Sequence, residues 1–534
     1  MQVRVLTVSI GRFIFGWLMI AWQGIAPAQQ QNPASDRPNI LFALSDDQSY
    51  PHVSVLGDPV VRTPAFDRVA RDGVLLTHCF AACPSCTASR SAILTGRQMW
   101  QLGQGGVLFG TLEPRFPLVT HLLEDAGYYV GYVGKPWAPG DWQAGGLSRH
   151  PNGIEFAAQR EVNPPVGINV HDYAANFADF LAHRPANAPF FFWYGCTEPH
   201  REYEPGIGLR SGKRLSDVQV PPFLPDTPEV RGELLDYYYE IEHFDQHLGR
   251  MLDTLEQAGE LANTLVVVTS DNGMPFSHSK GTLYDSGVRM PTAMCWGDAV
   301  PAGRTIDDFI GHIDLAPTFL DAAGVPKPEA MTGSSLLSVL ASQQEGRIDS
   351  VRARVITGIE RHTYCRPEGE TYPIRALRNY EYLYVRNFAP DRWPTGGPEF
   401  ISSNKAPHGD IDDGPFKDFM LLDTTRVKFP VIFEMGFGKR PLEELYELAH
   451  DPHQLHNLAD DPKYAHIKSE LWRQLRSYLI QSGDPRVRGQ DPWQSMIYRQ
   501  VDGFGATFNM SLPQSERAAA RSRQKHAVSP GAKE

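Results

Sequence analysis

The chain has 534 residues, 42% of them hydrophobic and 21% charged, with 62 acidic against 50 basic side chains and a formal net charge of −12. That length exceeds one small core and suits a large α/β domain with a smaller companion. The acidic balance excludes a nucleic-acid partner held by many phosphate contacts, although a local cationic pocket can still receive an anionic substrate.

In chain order, Arg4 and Arg12 precede the apolar run FIFGWLMIAW and the small-residue APA ending at Ala28. This is the pattern of a secretory signal peptide, and the run is shorter than the roughly 20 residues of a membrane span. The expectation is an exported protein, periplasmic or extracellular, that loses residues 1–28 and has no membrane span afterwards. Its six cysteines, Cys79, Cys83, Cys86, Cys196, Cys295 and Cys365, are too sparse for a disulfide scaffold, and one or two bridges stay open.

From Asn39 to about residue 325, short apolar runs alternate with helical patterns, which predicts a large, mostly parallel sheet sandwiched by helices. Four runs, NILFALSDD, GYYVGYVGK, PFFFWYGCTEPH and NTLVVVTSDNG, each end in polar residues that a strand core would not take. Ligands of open α/β sheets bind beyond the carboxyl ends of the strands. Asp46, Asp47, Lys135, His200, Asp271 and Asn272 are therefore expected on one rim. The segment TASRSAILTG has helical texture, with Gly96 closing it and Ser85 or Thr87 capping its start. HIDLAPTFLDAAGV (312–325) reads as a helix ending at Gly324, and MTGSSLLSVLAS as a shorter one.

After residue 350, ARVITGIE, YPIRALRN and YEYLYVRNF read as antiparallel strands of a smaller α+β domain. A polar, Pro- and Gly-rich stretch covers 389–441, a helix is predicted over 462–482, and the last twenty residues are expected to be disordered. The predicted organisation is a signal peptide over 1–28, a catalytic α/β domain over 37–350, an antiparallel-sheet subdomain over 351–482, and an extension over 483–534.

Adjacent aspartates alone are ordinary turn or cap residues. With SDNG at a second strand end they become three carboxylates and an amide, a hard-oxygen set that suits Ca²⁺, and Mg²⁺ less well. Lys135 and Lys280, each unremarkable alone, would together hold a multiply charged oxyanion, and His200 would assist a leaving group. Cys83 and Cys86 have C-x-x-C spacing, but a thioredoxin-like pair needs no carboxylate site. Zinc would need more ligands than His78, Cys79 and Cys83 supply. Placed at a helix N-terminus, Cys86 would favour both an anionic nucleophile and an anionic substrate.

Cys86-Thr87-Ala88-Ser89-Arg90, followed by Thr95-Gly96-Arg97, resembles the signature of the type I sulfatases of the alkaline phosphatase superfamily. The resemblance covers roughly residues 37–480. It implies that Cys86 is converted to formylglycine by a formylglycine-generating or other sulfatase-maturing enzyme. One hydroxyl of the hydrated aldehyde would attack sulfur, and the other would expel sulfate. It also implies that Asp46, Asp47, Asp271 and Asn272, with the modified Cys86, hold Ca²⁺. Arg90 would steady the formylglycine, Lys135 and Lys280 would bind sulfate, and His200 would serve the leaving group. One departure stands out, since the family's GK-x-H histidine is replaced by Trp137.

SDNGMPF, TEPHR, YPIRALRN and LYELAHDPHQLHNLADDP are similar to the heparan N-sulfatase branch, whereas Lys280 stands where that branch would carry arginine. The implied substrate is a sulfated glycan, with N- and O-sulfate both open. Arg361, His362, Arg375 and Arg378 are candidate sugar or carboxylate contacts, with a structural role as the alternative for most of them. His450, His453 and His456 read as loop and cap residues. Two alternatives remain: a phosphatase or phosphonate monoester hydrolase of the same superfamily, and a catalytically silent glycan-binding homologue, which Trp137 motivates. Oligomeric state is not legible in the sequence.

Overall fold

The structure, a computed structural model, describes residues 37–399 and 407–493, together with Gln2 and two short strands at 499–502 and 506–509. The segment 1–28 read as a signal peptide, Gln2 apart, and the last twenty residues lie outside the described residues.

The four apolar runs form strands β1 (Asn39–Ser45), β3 (Tyr129–Gly134), β5 (Phe190–Gly195) and β6 (Thr264–Ser270). Five more complete the main sheet: β2 (Val74–Phe80), β4 (Ile154–Glu155), β7 (Arg289–Cys295), β8 (Arg304–Ile306) and β9 (Ile310–Gly311). The order is β4-β3-β5-β1-β6-β7-β2-β8, with β9 also beside β2. Only β7 runs against its neighbours, pairing antiparallel with both β6 and β2. Every residue of β1, β5 and β6 is buried, because helices cover both faces of a parallel sheet.

The alternation along β1 shows the two layers. Ile40, Phe42 and Leu44 pack in one core with α3 (Val119–Asp125) and the helix Leu315–Ala322. Leu41 and Ala43 pack in the other with α1 (Pro64–Arg71), the helix Tyr173–His183 and the thirty-residue helix Pro228–Gln257. The helix read from 312–325 is helical over Leu315–Ala322, after a 3₁₀ turn at His312–Asp314, and Gly324 has φ +65°. MTGSSLLSVLAS yields one helical turn, Leu337–Leu340.

A second sheet is antiparallel, in the order β10 (Arg354–Ile359), β11 (Ile374–Asn379), β12 (Tyr382–Asn387) and β13 (Glu443–Glu447). Its core includes Leu471, Leu475 and Leu479 of the helix Ala465–Gln481. The fold class is thus the one expected, a mostly parallel sheet between helices with a separate antiparallel sheet. The stretch 389–441 holds more order than its composition suggests. Helices occur at Pro415–Leu421, Asp423–Lys428 and Pro430–Phe437, two of them opened by a proline at the first helical position.

Candidate active site

Helix α2 (Cys86–Thr95) begins with Cys86, and all ten of its residues are buried. Gly96 closes it in the left-handed region (φ +60°), its N–H bonding Ala92 O, a conformation that favours glycine. Ser85 takes the extended N-cap position, but no side-chain cap forms; its hydroxyl lies 2.9 Å from His362 Nδ1 instead. The expectation of a Ser85 or Thr87 cap is therefore not met, since Thr87 is inside the helix and its hydroxyl bonds Pro139 O. All six cysteines are free and buried. Burial pushes the Cys86 thiol well above its usual range and raises Cys83 as well, so neither thiol is readied as a thiolate.

Four strand ends converge on Cys86. Beyond β1, Asp46 Oδ1 lies 3.5 Å from Cys86 Sγ. Asp47 has φ +70°, a backbone region uncommon outside glycine, and its N–H bonds Asp271 Oδ1 at 3.1 Å. Beyond β6, Asn272 Nδ2 donates to Asp47 Oδ1 at 2.6 Å, while Asn272 Oδ1 is buried with no hydrogen-bond partner. The next residue must be small, because a Cβ on Gly273 would stand 2.0 Å from Ser286 O. Beyond β3, Lys135 Nζ bonds Asp46 Oδ2. Arg90, fully buried on α2, donates to Asp271 Oδ2 (2.8 Å) and to the carbonyls of Lys135 (2.7 Å) and Pro136 (3.0 Å). Beyond β5, His200 Nε2 is 3.8 Å from Asp47 Oδ2 and its Nδ1 is 2.7 Å from Arg201 O. A carbonyl only accepts, so Nδ1 carries a proton and Nε2 is left as the atom that can exchange one.

Lys280 closes the ring, with Nζ 2.6 Å from Asp47 Oδ2 and 2.8 Å from Asp412 Oδ2. Asp412 was not found in the sequence. It belongs to a stretch without periodicity, and its one signal is the acidic run between Gly409 and Gly414.

The electrostatics are those of carboxylates crowded beyond their own cations. Burial works to raise Asp46, but Lys135, and more weakly His200 and Arg90, carry it below its ordinary value. Asp271 is raised, by burial first and then by Asp46. Burial opposes the charge on both lysines, yet Asp46 keeps Lys135 above its ordinary value, and Asp412 and Asp47 do the same for Lys280. Asp46, Asp47 and Cys86 form one group able to hold a metal ion, and Asp47, His200 and Asp412 another. The oxygens of Asp46, Asp47, Asp271 and Asn272, one of them unpartnered, fit a hard divalent cation.

Some expected contacts lie elsewhere. Arg375 is fully buried and bonds Asp484 (2.6 Å), Glu360 (2.5 Å) and the carbonyls of Ile359 and Ile374. It is a structural ion pair, the alternative open in the sequence, and not a substrate contact. Arg378 is likewise held by both oxygens of Asp285, each at 3.0 Å, and Arg361 by Gly369 O at 2.9 Å. His362 does reach the rim, through Ser85. His450 and His456 are about 80% exposed, and neither converges with His453 on a ligand set. Trp137 faces the core, its indole N–H bonding Ser91 Oγ at 2.7 Å.

Fold and rim together define an α/β enzyme that handles a small anionic group. A family model described as "Sulfatase" matches residues 38–325. The chain belongs to the sulfatase family and is a sulfuric ester or sulfamate hydrolase. It is 27% identical over 461 residues to an ulvan-active sulfatase of Formosa agariphila, covering 85% of this chain and 82% of that one. It is 27% identical over 493 residues to human N-sulphoglucosamine sulphohydrolase, covering 85% and 92%. A solved complex of a protein with its substrate D-glucosamine-2-N,6-O-disulfate superposes with TM-score 0.62 at 21% identity, covering 85% of this chain and all of that one. Among the described residues no helix is long and apolar enough to cross a membrane.

Proposed function

We propose that the protein removes sulfate from a sulfated glycan, as an N- or O-sulfatase, using an aldehyde made from Cys86 and a Ca²⁺ ion, after export to the periplasm or the outside. The observation that carries this reading is the position of Cys86, buried at the start of α2 within 3.5 Å of Asp46 and inside a ring of carboxylates and lysines. The names of its relatives support a glycan substrate.

Asp46, Asp47, Asp271 and Asn272 would hold the calcium ion, whose chemistry is to favour the deprotonated hydroxyl of the hydrated aldehyde. Arg90 keeps Asp271 and the carbonyls of Lys135 and Pro136 in place, and so fixes two strand ends against α2. Lys135 and Lys280, now spent on Asp46 and Asp47, are the cations that bind sulfate oxygens once those carboxylates are otherwise neutralised. His200 passes its Nε2 proton to the departing oxygen or nitrogen, its ring held by the Nδ1 bond to Arg201 O.

The test is mass spectrometry of the peptide spanning 81–97 in protein from a host with the maturation machinery. Conversion of Cys86 lowers its mass by about 18 Da. An unmodified Cys86 in fully active enzyme refutes the aldehyde, and turnover of an aryl phosphate above every sulfated disaccharide and aryl sulfate refutes the substrate class.

A further inference from the structure

Away from the rim, two histidines one turn apart on the helix Pro228–Gln257 face a carboxylate from another segment. His243 and His247 have ring centroids 4.6 Å apart. Glu161 Oε1 lies 2.9 Å from His247 Nε2 and 3.9 Å from His243 Nε2. His243 Nε2 is buried and has no hydrogen-bond partner, a costly state for a ring nitrogen unless something binds there. One donor atom from each of the three residues lies within 4.8 Å of the others.

We propose that Glu161, His243 and His247 bind one zinc ion. Two imidazoles and one carboxylate suit zinc and not calcium. Bonds of about 2.0–2.2 Å set tetrahedral donors roughly 3.3–3.5 Å apart, between the two separations seen here. Side-chain exposures of 23% at Glu161, 11% at His243 and 3% at His247 leave room for a water as fourth ligand on the Glu161 side.

An outer partner is present too. Asp172 Oδ1 is 3.6 Å from His247 Nδ1, and Asp172 is itself held by Arg250 at 2.9 Å. Metal-bound histidines commonly donate their second nitrogen to a carboxylate. Without metal, Ala174 N at 3.3 Å and Arg250 Nη1 at 3.4 Å donate to His247 Nδ1, so the ring proton sits on Nε2 toward Glu161. On binding, that proton moves to Nδ1 and faces Asp172; Arg250 gives up Nδ1 and keeps Asp172 through Nη2, and Ala174 N rejoins the helix-start amides that have no intrahelical partner.

The ion ties the Glu161 segment to the long helix. It also has a line to the rim, because the Tyr173 ring packs on His247 at 5.2 Å and the Tyr173 hydroxyl bonds Glu198 Oε2 at 2.8 Å, two residues before His200.

The test uses full-length protein with any histidine tag removed, calcium saturating, and zinc titrated by equilibrium dialysis and calorimetry. One zinc per chain is expected, with a raised melting temperature. Glu161→Gln and His243→Gln should lose that equivalent or weaken it at least about tenfold. Cobalt(II) in the wild-type protein should give the intense visible absorption of a four-coordinate ion, a readout that does not depend on whether the variants fold. No zinc bound by the wild type, equal zinc in the variants, or a weak six-coordinate cobalt spectrum overturns the proposal.

Discussion

Arg375 and Lys280 are both buried cations, each set between two carboxylates, and they differ in what is left over. Around Arg375 every guanidinium nitrogen is bonded, and Glu360 and Asp484 also take Arg486. Around Lys280 the account stays open. Asn272 Oδ1 and Arg90 Nη2 lie buried without hydrogen-bond partners, and Asp271 is raised by burial first and then by Asp46. A closed network of buried charge holds a fold together, whereas an open one is prepared for a charge that comes and goes.

Substitutions can break or sharpen that contrast. Arg375→Met leaves Asp484 with no cation and Glu360 with Arg486 alone, and should cost about 3–5 kcal/mol in chemical denaturation, with kcat/KM on a sulfated disaccharide unchanged well below the melting temperature. Lys280→Met should do the reverse with calcium present, lowering kcat/KM roughly 10²–10³-fold while the melting temperature moves by a few degrees. If the Arg375 variant loses turnover while keeping its stability, or the Lys280 variant unfolds, the two clusters are not different in kind.

Asp245 is a third case, a buried carboxylate with amide partners and no bonded cation. It accepts from Ala65 N and Phe66 N at 2.9 and 2.8 Å, yet burial pushes it up to about 7. Its folded value stands above the unfolded one, so the stability it contributes is complete below about pH 4 and is lost as pH rises through 7. The wild type's advantage over Asp245→Asn should be larger at pH 5 than at pH 8 by roughly 2–3 kcal/mol in urea titrations. A pH-independent difference would show that the two amides keep Asp245 ionised. The smallest effect is expected from Trp137→Phe. It unpairs Ser91 Oγ for about 1 kcal/mol and alters kcat by less than about threefold, since the indole faces the core.

The strand ends were legible because strands buried on both faces are apolar throughout, so each polar residue that follows marks a boundary. Asp46, Asp47, Lys135, His200, Asp271 and Asn272 come together for that reason. Asp412 was not legible, because it enters from a stretch whose short helices are fixed by packing on the long helix and not by periodicity. Arg375 misled for a related reason. A cation in a strand next to apolar residues looks the same in sequence whether it faces substrate or a buried carboxylate, and only Glu360 and Asp484, distant in the chain, decide. The departure at Trp137 was visible, but its orientation toward Ser91 was not.

The complete burial of α2 sets an order of events. Cys86 is 2% exposed and opens a helix with no solvent-facing residue. On the proposed function, an enzyme that rewrites this side chain would have to take hold of it while the segment is still an extended strand of peptide. Once α2 packs against the helix Leu315–Ala322 and bonds Asp271 beyond β6, the thiol is sealed. If Cys86 is converted as proposed, the yield of active molecules would be decided by a race between modification and folding, and conditions that slow folding should raise the fraction modified.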